Sequence, residues 1–302
     1  MIDGKRQGAD WAIPAVVLAT VAWGLGPLMV RAMDVSGYTT ALFRMWLGAP
    51  AMVLAARLFG RPVRWADVRT CFLPGCFFGG SMMLGFVAVK QTSIANATLI
   101  GALTPAILLL GANRFVGERS DAKRLPFALM AFAGLAVVIL SGASTDGASL
   151  KGDLLAGLNV CCFTIYFITL KRRRNEGMDG WAFLAGVFIV GTMVITPLCV
   201  VMGKDTTDLD LSDLGFVIAM VAGPGLVGHG LISWASRHIP VTTTSLLTLG
   251  SPVISVFGGW LVYDQHLGWL QVLGAVLVLG GLAGSVWDRS PRGVPVVAEP
   301  VE

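Results

Sequence analysis

The chain has 302 residues, of which 55% are apolar and only 13% are charged. A water-facing globular surface draws on about 25% charged residues, so this composition excludes a soluble domain and selects lipid as the solvent. The net charge of +4 is therefore no sign of nucleic-acid binding; the information lies in where the cations fall along the chain.

A membrane-spanning helix needs about 20 largely apolar residues. In chain order, windows of that kind cover 11–30, 35–56, 70–89, 91–113, 125–145, 154–170, 180–203, 214–236, 239–263 and 267–287. The second is interrupted by Arg44. The pattern predicts an all-α integral membrane protein of ten transmembrane helices joined by short connections. The first window is long for the apolar region of a signal peptide and is read as a true helix. The segment 288–302, with Pro291, Pro295 and Pro300, reads as a disordered cytoplasmic tail. Cys71, Cys76, Cys161, Cys162 and Cys199 all lie in apolar stretches without metal-ligand spacing, and read as small core residues.

Orientation follows from Lys and Arg. With the N-terminus in the cytoplasm, seventeen of these residues fall inside and four outside, namely Arg31, Lys90, Lys151 and Lys204. That bias satisfies the positive-inside rule and predicts a multi-pass protein of the cytoplasmic (inner) membrane with both termini in the cytoplasm.

The chain also repeats itself. At an offset of 147, Pro105 pairs with Pro252, Ile107 with Ile254, Gly111 with Gly258 and Gly134 with Gly281. Earlier helices match near an offset of 140, where Trp23 meets Phe163 and Arg31 meets Lys171. Residues 1–148 and 149–287 then form two five-helix units. Five is odd, so the second unit enters the membrane from the opposite side. Such inverted repeats are the mark of secondary transporters, whose halves rock around a central site.

Several motifs carry a family resemblance. They are Trp23-Gly24, Leu42-Phe43-Arg44, the run from Ser93 to Ala97 leading to Thr104-Pro105 and Glu118, then Ser251-Pro252 and the run from Gly259 to Gln265. Over most of its length, from Trp11 to Trp287, the chain resembles the EamA-type transporters of the drug/metabolite transporter superfamily. The resemblance implies ten helices in two inverted repeats and transport of small metabolites, usually outward. One departure concerns the acid thirteen residues after the repeat proline. It is Glu118 in the first half but Gln265 in the second, with Asp264 beside it.

Candidate substrate-binding residues come from polar and aromatic groups at mid-window. Arg44 sits near the bilayer midplane, where a guanidinium must face the bundle interior or water. It is either a contact for a substrate carboxylate or phosphate, or a structural arginine bonded to helix carbonyls. His229, between Gly228 and Gly230, either couples transport to protons or shares a neutral helix–helix hydrogen bond. Ser233 shares its face, and the repeat mates of this pair are Met82 and Phe86. Asn159, Phe163 and Tyr166 form one helical stripe that, with Trp23, either lines an aromatic cavity or packs as core. Trp11, Trp181 and Trp287, at window ends, read as interfacial anchors. Pro105 and Pro252 are the candidate hinges. The pairs Gly75/Gly79 and Gly280/Gly284 permit close helix contact, the second within the chain or in a homodimer.

None of the Asp or Glu residues lies in the middle of a window, and no nucleotide loop or catalytic dyad is present. The expectation is a transporter rather than an enzyme, without cofactor or metal, moving a small anionic or zwitterionic metabolite outward by alternating access, with protons as a candidate coupling ion. An importer, a membrane scaffold and a membrane-embedded enzyme remain as alternatives.

Overall fold

The computed structural model describes residues 2–104, 107, 125–142, 147–203, 205–235, 247–248 and 250–287. Pro105, Glu118 and the segment 288–302 lie outside the described residues. Every regular element among those described is a helix. This follows from the solvent, since lipid offers backbone N–H and C=O groups no partner.

The helices are α1 (Ile2–Ala32), α2 (Gly37–Phe59), the short α3 (Trp65–Thr70), α4 (Phe72–Gln91), α5 (Ile94–Gly101), α6 (Leu125–Gly142), α7 (Leu150–Asn175) and α8 (Gly180–Met202). After them come α9 (Leu211–Met220), a π-helix π1 (Val221–His229), α10 (Gly230–Ala235), α11 (Gly250–Tyr263) and α12 (Trp269–Trp287). Six spans among the described residues are long and apolar enough to cross a membrane: Trp11–Ala32, Gly37–Phe59, Phe72–Gln91, Leu150–Leu170, Gly180–Met202 and Leu211–Ile232. Two shorter apolar helices follow, Gly250–Tyr263 and Trp269–Gly281.

Helix starts are set by side chains that accept orphan N–H groups. Ser36 accepts from Thr39 N, Ser93 from Asn96 N, Asp179 from Ala182 N and Asp210 from Asp213 N. The cap at Ser93 splits what reads in sequence as one continuous polar boundary: α4 ends at Gln91 and α5 begins at Ile94. The sixth window begins earlier than its hydropathy, because α7 starts at Leu150 and takes Lys151 and Asp153 into its first turn.

The core is aromatic and sulfur-rich. Met45 and Met52 of α2, Phe78 of α4, Tyr166 of α7, and Phe183 and Phe188 of α8 pack in one cluster. A second cluster joins Ala88 of α4, Ile100 of α5, Ala131 of α6, Val160 of α7 and Val278 of α12. Facing outward are Leu54, Phe72, Leu129, Val201 and Trp260, all exposed. In water this surface would drive aggregation; in hydrocarbon it is the matching solvent-facing side.

Close backbone approach explains the paired glycines. A Cβ on Gly79 would lie 2.9 Å from Gly191 Cα, and one on Gly75 would lie 2.5 Å from Val190 Cβ, so both admit α8. A Cβ on Gly281 would meet Phe127 O at 2.5 Å and one on Gly284 would meet Phe127 Cδ1 at 2.3 Å. This α12 face is therefore spent on α6 within the chain, and does not supply a dimer surface at Gly284. Trp181, expected as an interfacial anchor, packs inward: the Gly230 Cβ position lies 2.5 Å from its ring edge.

Candidate functional site

Arg44 lies on the inner face of α2 and is buried, with 5% exposure. Its guanidinium carbon sits 5.3 Å from the centroid of the Phe86 ring of α4. Its Nε is enclosed without a hydrogen-bond partner, and no acceptor among the described residues takes a hydrogen from the group. The structural alternative, an arginine bonded to helix carbonyls, finds no such bond among the described residues. A buried cation with unspent donors is costly unless something outside the protein supplies the acceptor.

His229 closes the π-helix. Pro224 lies inside this segment and contributes no N–H to the helix ladder. Within this widened segment the Pro224 carbonyl accepts from Trp23 Nε1 of α1 at 3.0 Å. The Trp23 and His229 rings lie 5.1 Å apart, and Phe78 meets His229 edge-on at 6.0 Å. Gly228 makes the approach possible, since a Cβ there would stand 2.3 Å from Trp23 Nε1. His229 is enclosed among these rings yet keeps part of its surface accessible, and it lies within electrostatic reach of Arg44.

From His229 the aromatic contacts run through Phe78 to Tyr166 at 4.8 Å, and from Tyr166 to Phe163 at 5.5 Å. Tyr166 is fully buried in this cluster, whereas Phe163 is half-buried. Asn159 turns toward α4, where Ser81 Oγ donates to its Oδ1 at 2.6 Å. Met82 and Phe86, half-buried, share the α4 face that carries Phe78. Thus Arg44, Phe86, His229, Trp23, Met82, Phe163 and Tyr166 gather on the inner faces of α1, α2, α4, α7 and π1. Ser233 follows His229 by one turn in α10, but its side chain lies outside the description. Pro252 is buried in α11, where the nearby Ser255 Oγ donates to Gly24 O of α1 at 2.7 Å.

Phe78 joins the two halves of this cluster, and the sequence reading passed over it. Its signal was present: Phe78, Met82 and Phe86 are spaced by four along one helix.

A second polar cluster, also passed over, ties several helices together at one end of the bundle. Asp153 of α7 is buried and accepts from Thr92 Oγ1 at 2.7 Å and from Asn96 Nδ2 at 3.2 and 3.1 Å. Gln271 Nε2 of α12 donates to Asn96 Oδ1 at 3.3 Å. Arg31 of α1 donates to the Thr92 carbonyl. Gln265 Oε1 accepts from Ile94 N at 3.1 Å, at the N-terminus of α5. An amide at position 265 thus does at this helix end what a carboxylate would do. Asp264 does not replace it, being exposed with φ of 50°.

Outside the spans, Arg61 Nη1 and Nη2 grip Asp67 Oδ2 and Oδ1 at 2.6 and 2.7 Å, and Arg64 N adds a bond at 2.8 Å. The Arg61 hydrogen bonds hold the Asp67 carboxyl below its ordinary range.

Apolar spans, an outward-facing apolar surface and a buried, unpaired arginine define a multi-pass α-helical membrane protein. The chain belongs to the EamA-like transporter family, whose sequence profile matches residues 10–140 and again 150–287. It is 24% identical to the uncharacterized transporter YcxC of Bacillus subtilis over 64% of this chain and 65% of that one, just under two thirds of the relative's length. It is 24% identical to a probable amino-acid metabolite efflux pump of Escherichia coli, over 88% of this chain and 91% of that one. A solved crystal structure superposes with a TM-score of 0.63 at 21% identity, covering 91% of this chain and 96% of the other, which establishes likeness of fold.

Proposed function

We propose that this protein is a secondary transporter that moves a small anionic or zwitterionic metabolite, an amino acid or a related compound, out across the cytoplasmic membrane by alternating access. The observation that carries the reading is Arg44, buried within the bundle with its donors unspent. A scaffold has no use for such a group, and an enzyme needs convergent titratable groups, whereas the described residues gathered with Arg44 supply only His229 and the phenol of Tyr166. Two successive matches to one family profile support two homologous halves. In our reading these are five-helix repeats of opposite orientation, 1–148 and 149–287, with both termini cytoplasmic. Pro105 and Pro252 are their hinges. Arg44 binds the substrate anion; Trp23, Phe86, Met82, Phe163, Tyr166, Asn159, His229 and Ser233 surround the rest. The name of the Escherichia coli relative supports the outward direction.

The test is flux into and out of proteoliposomes with a panel of amino acids and their derivatives, with and without a pH gradient. Arg44→Ala is expected to abolish flux while the protein still folds, as judged by monodisperse elution and a cooperative melt. Arg44→Lys is expected to retain a small part, since an ammonium lacks the bidentate fork. Full flux by Arg44→Ala, or a purely cationic substrate, rejects the reading.

A further inference from the structure

We infer that the central site selects monocarboxylates with a flat apolar body over the corresponding amino acids. The inference rests on the transporter reading above and narrows its substrate class. A carboxylate finds the Arg44 guanidinium, whose donors are unspent. The α-ammonium of an amino acid carries three hydrogens and needs acceptors. The groups gathered with Arg44, the Tyr166 hydroxyl among them, offer only neutral acceptors. Trp23 is a donor only, and its N–H goes to Pro224 O, a neutral carbonyl with one lone pair left. Asn159 Oδ1 receives the Ser81 hydroxyl hydrogen, so what this pair has left for an ammonium is again uncharged. Phe78 and Phe86 have no polar atom, and the Phe86 face is already turned to the guanidinium. His229 supplies at most one acceptor nitrogen and no negative charge in any protonation state.

Charge makes the same selection. No acid among the described residues accompanies Arg44, and no Asp or Glu falls in the middle of any apolar window of the chain. An ammonium placed one carbon from the bound carboxylate therefore meets a guanidinium without a compensating anion. Removing that ammonium removes both the repulsion and the desolvation of a cation that no anion compensates. The rest of the ligand meets the half-buried Trp23 and Phe163, whose rings suit a planar body, with the fully buried Phe78 packed behind them.

The experiment uses three phenyl probes: 3-phenylpropionate, L-phenylalanine, which adds the α-ammonium, and phenethylamine, which is L-phenylalanine without its carboxylate. Binding to the full chain in lipid nanodiscs is measured by calorimetry and by thermal shift, for wild type, Arg44→Lys and Arg44→Gln. The expected result is 3-phenylpropionate bound at least tenfold more tightly than L-phenylalanine, phenethylamine not bound, and 3-phenylpropionate affinity lost in Arg44→Gln. Arg44→Lys guards against a variant that fails to fold, and is expected to weaken 3-phenylpropionate while keeping the order of the three. L-phenylalanine bound as tightly as 3-phenylpropionate, with both dependent on Arg44, overturns the selectivity and leaves the transporter reading standing. Binding of carboxylates that is unchanged in both variants, or no carboxylate binding at all, overturns both.

Discussion

Asp153 and Asn96 exchange a charge-assisted contact that a reciprocal swap can test. Asp153→Asn turns one carboxylate oxygen into an NH2 group facing Asn96 Nδ2, which now lies 3.2 and 3.1 Å from the two oxygens. The one remaining oxygen must then serve both Thr92 Oγ1 and Asn96 Nδ2, and the second Asn96 contact sets N–H against N–H. A hydrogen bond to a charged group contributes about 1.5–3 kcal/mol, so the single change is expected to cost about 2 kcal/mol. Asn96→Asp sets two carboxylates against each other and is expected to cost a similar amount, about 2 kcal/mol. When both substitutions are combined, the direction of donation reverses: the new amide on α7 donates to the new carboxylate on α5, and Gln271 still finds its acceptor. The charge moves from the first turn of α7 to the third residue of α5, which Ser93 caps, so it stays at a helix N-terminus. The double variant is expected within about 1 kcal/mol of wild type, a coupling of about 3 kcal/mol. At about 2–4 °C per kcal/mol, each single falls by roughly 4–8 °C and the double by roughly 2–4 °C. Melting of the detergent-solubilised protein, followed by size-exclusion elution after heating, reads this directly. A double variant as unstable as the sum of the singles refutes the contact.

Three further outcomes are expected. Gly228→Ala drives a Cβ against Trp23 Nε1 and displaces the indole from Pro224 O, costing about 1–3 kcal/mol and most of the flux. Gly223→Ala, in the same π-helix with nothing within 4 Å of its Cβ, is the control and should be near neutral; equal behaviour of the two discounts the contact. Arg61 depresses the Asp67 pKa, so the carboxylate stabilises the fold above its unfolded pKa, about 4, and that contribution is lost as pH falls through the lower folded value. Asp67→Asn should therefore melt below wild type at pH 7, with the gap closing toward pH 3; a gap that widens in acid refutes the assignment. C-terminal fusions should be active with a cytoplasmic reporter and silent with a periplasmic one, and the reverse result sinks the proposed topology.

The sequence by itself determined the solvent and the element type. Ten apolar windows and a charge content of 13% leave lipid as the environment, and lipid permits only structures that satisfy their own backbone. It also singled out Arg44, because a midplane guanidinium is conspicuous whatever surrounds it. The family motifs were legible for the same local reason, being short runs read along one chain. Tertiary structure alone decided the partners. Asp153 stood outside every window in hydropathy terms, but Thr92 and Asn96 from another part of the chain bury it. The π-helix depends on which carbonyl Trp23, 201 residues away, can reach, and Phe78 was one apolar residue among many until His229 and Tyr166 packed against it. Hydropathy records what each residue prefers to be dissolved in, and it is blind to direction. Hydrogen bonds and ring contacts depend on direction, so they exist only once the helices have been brought side by side.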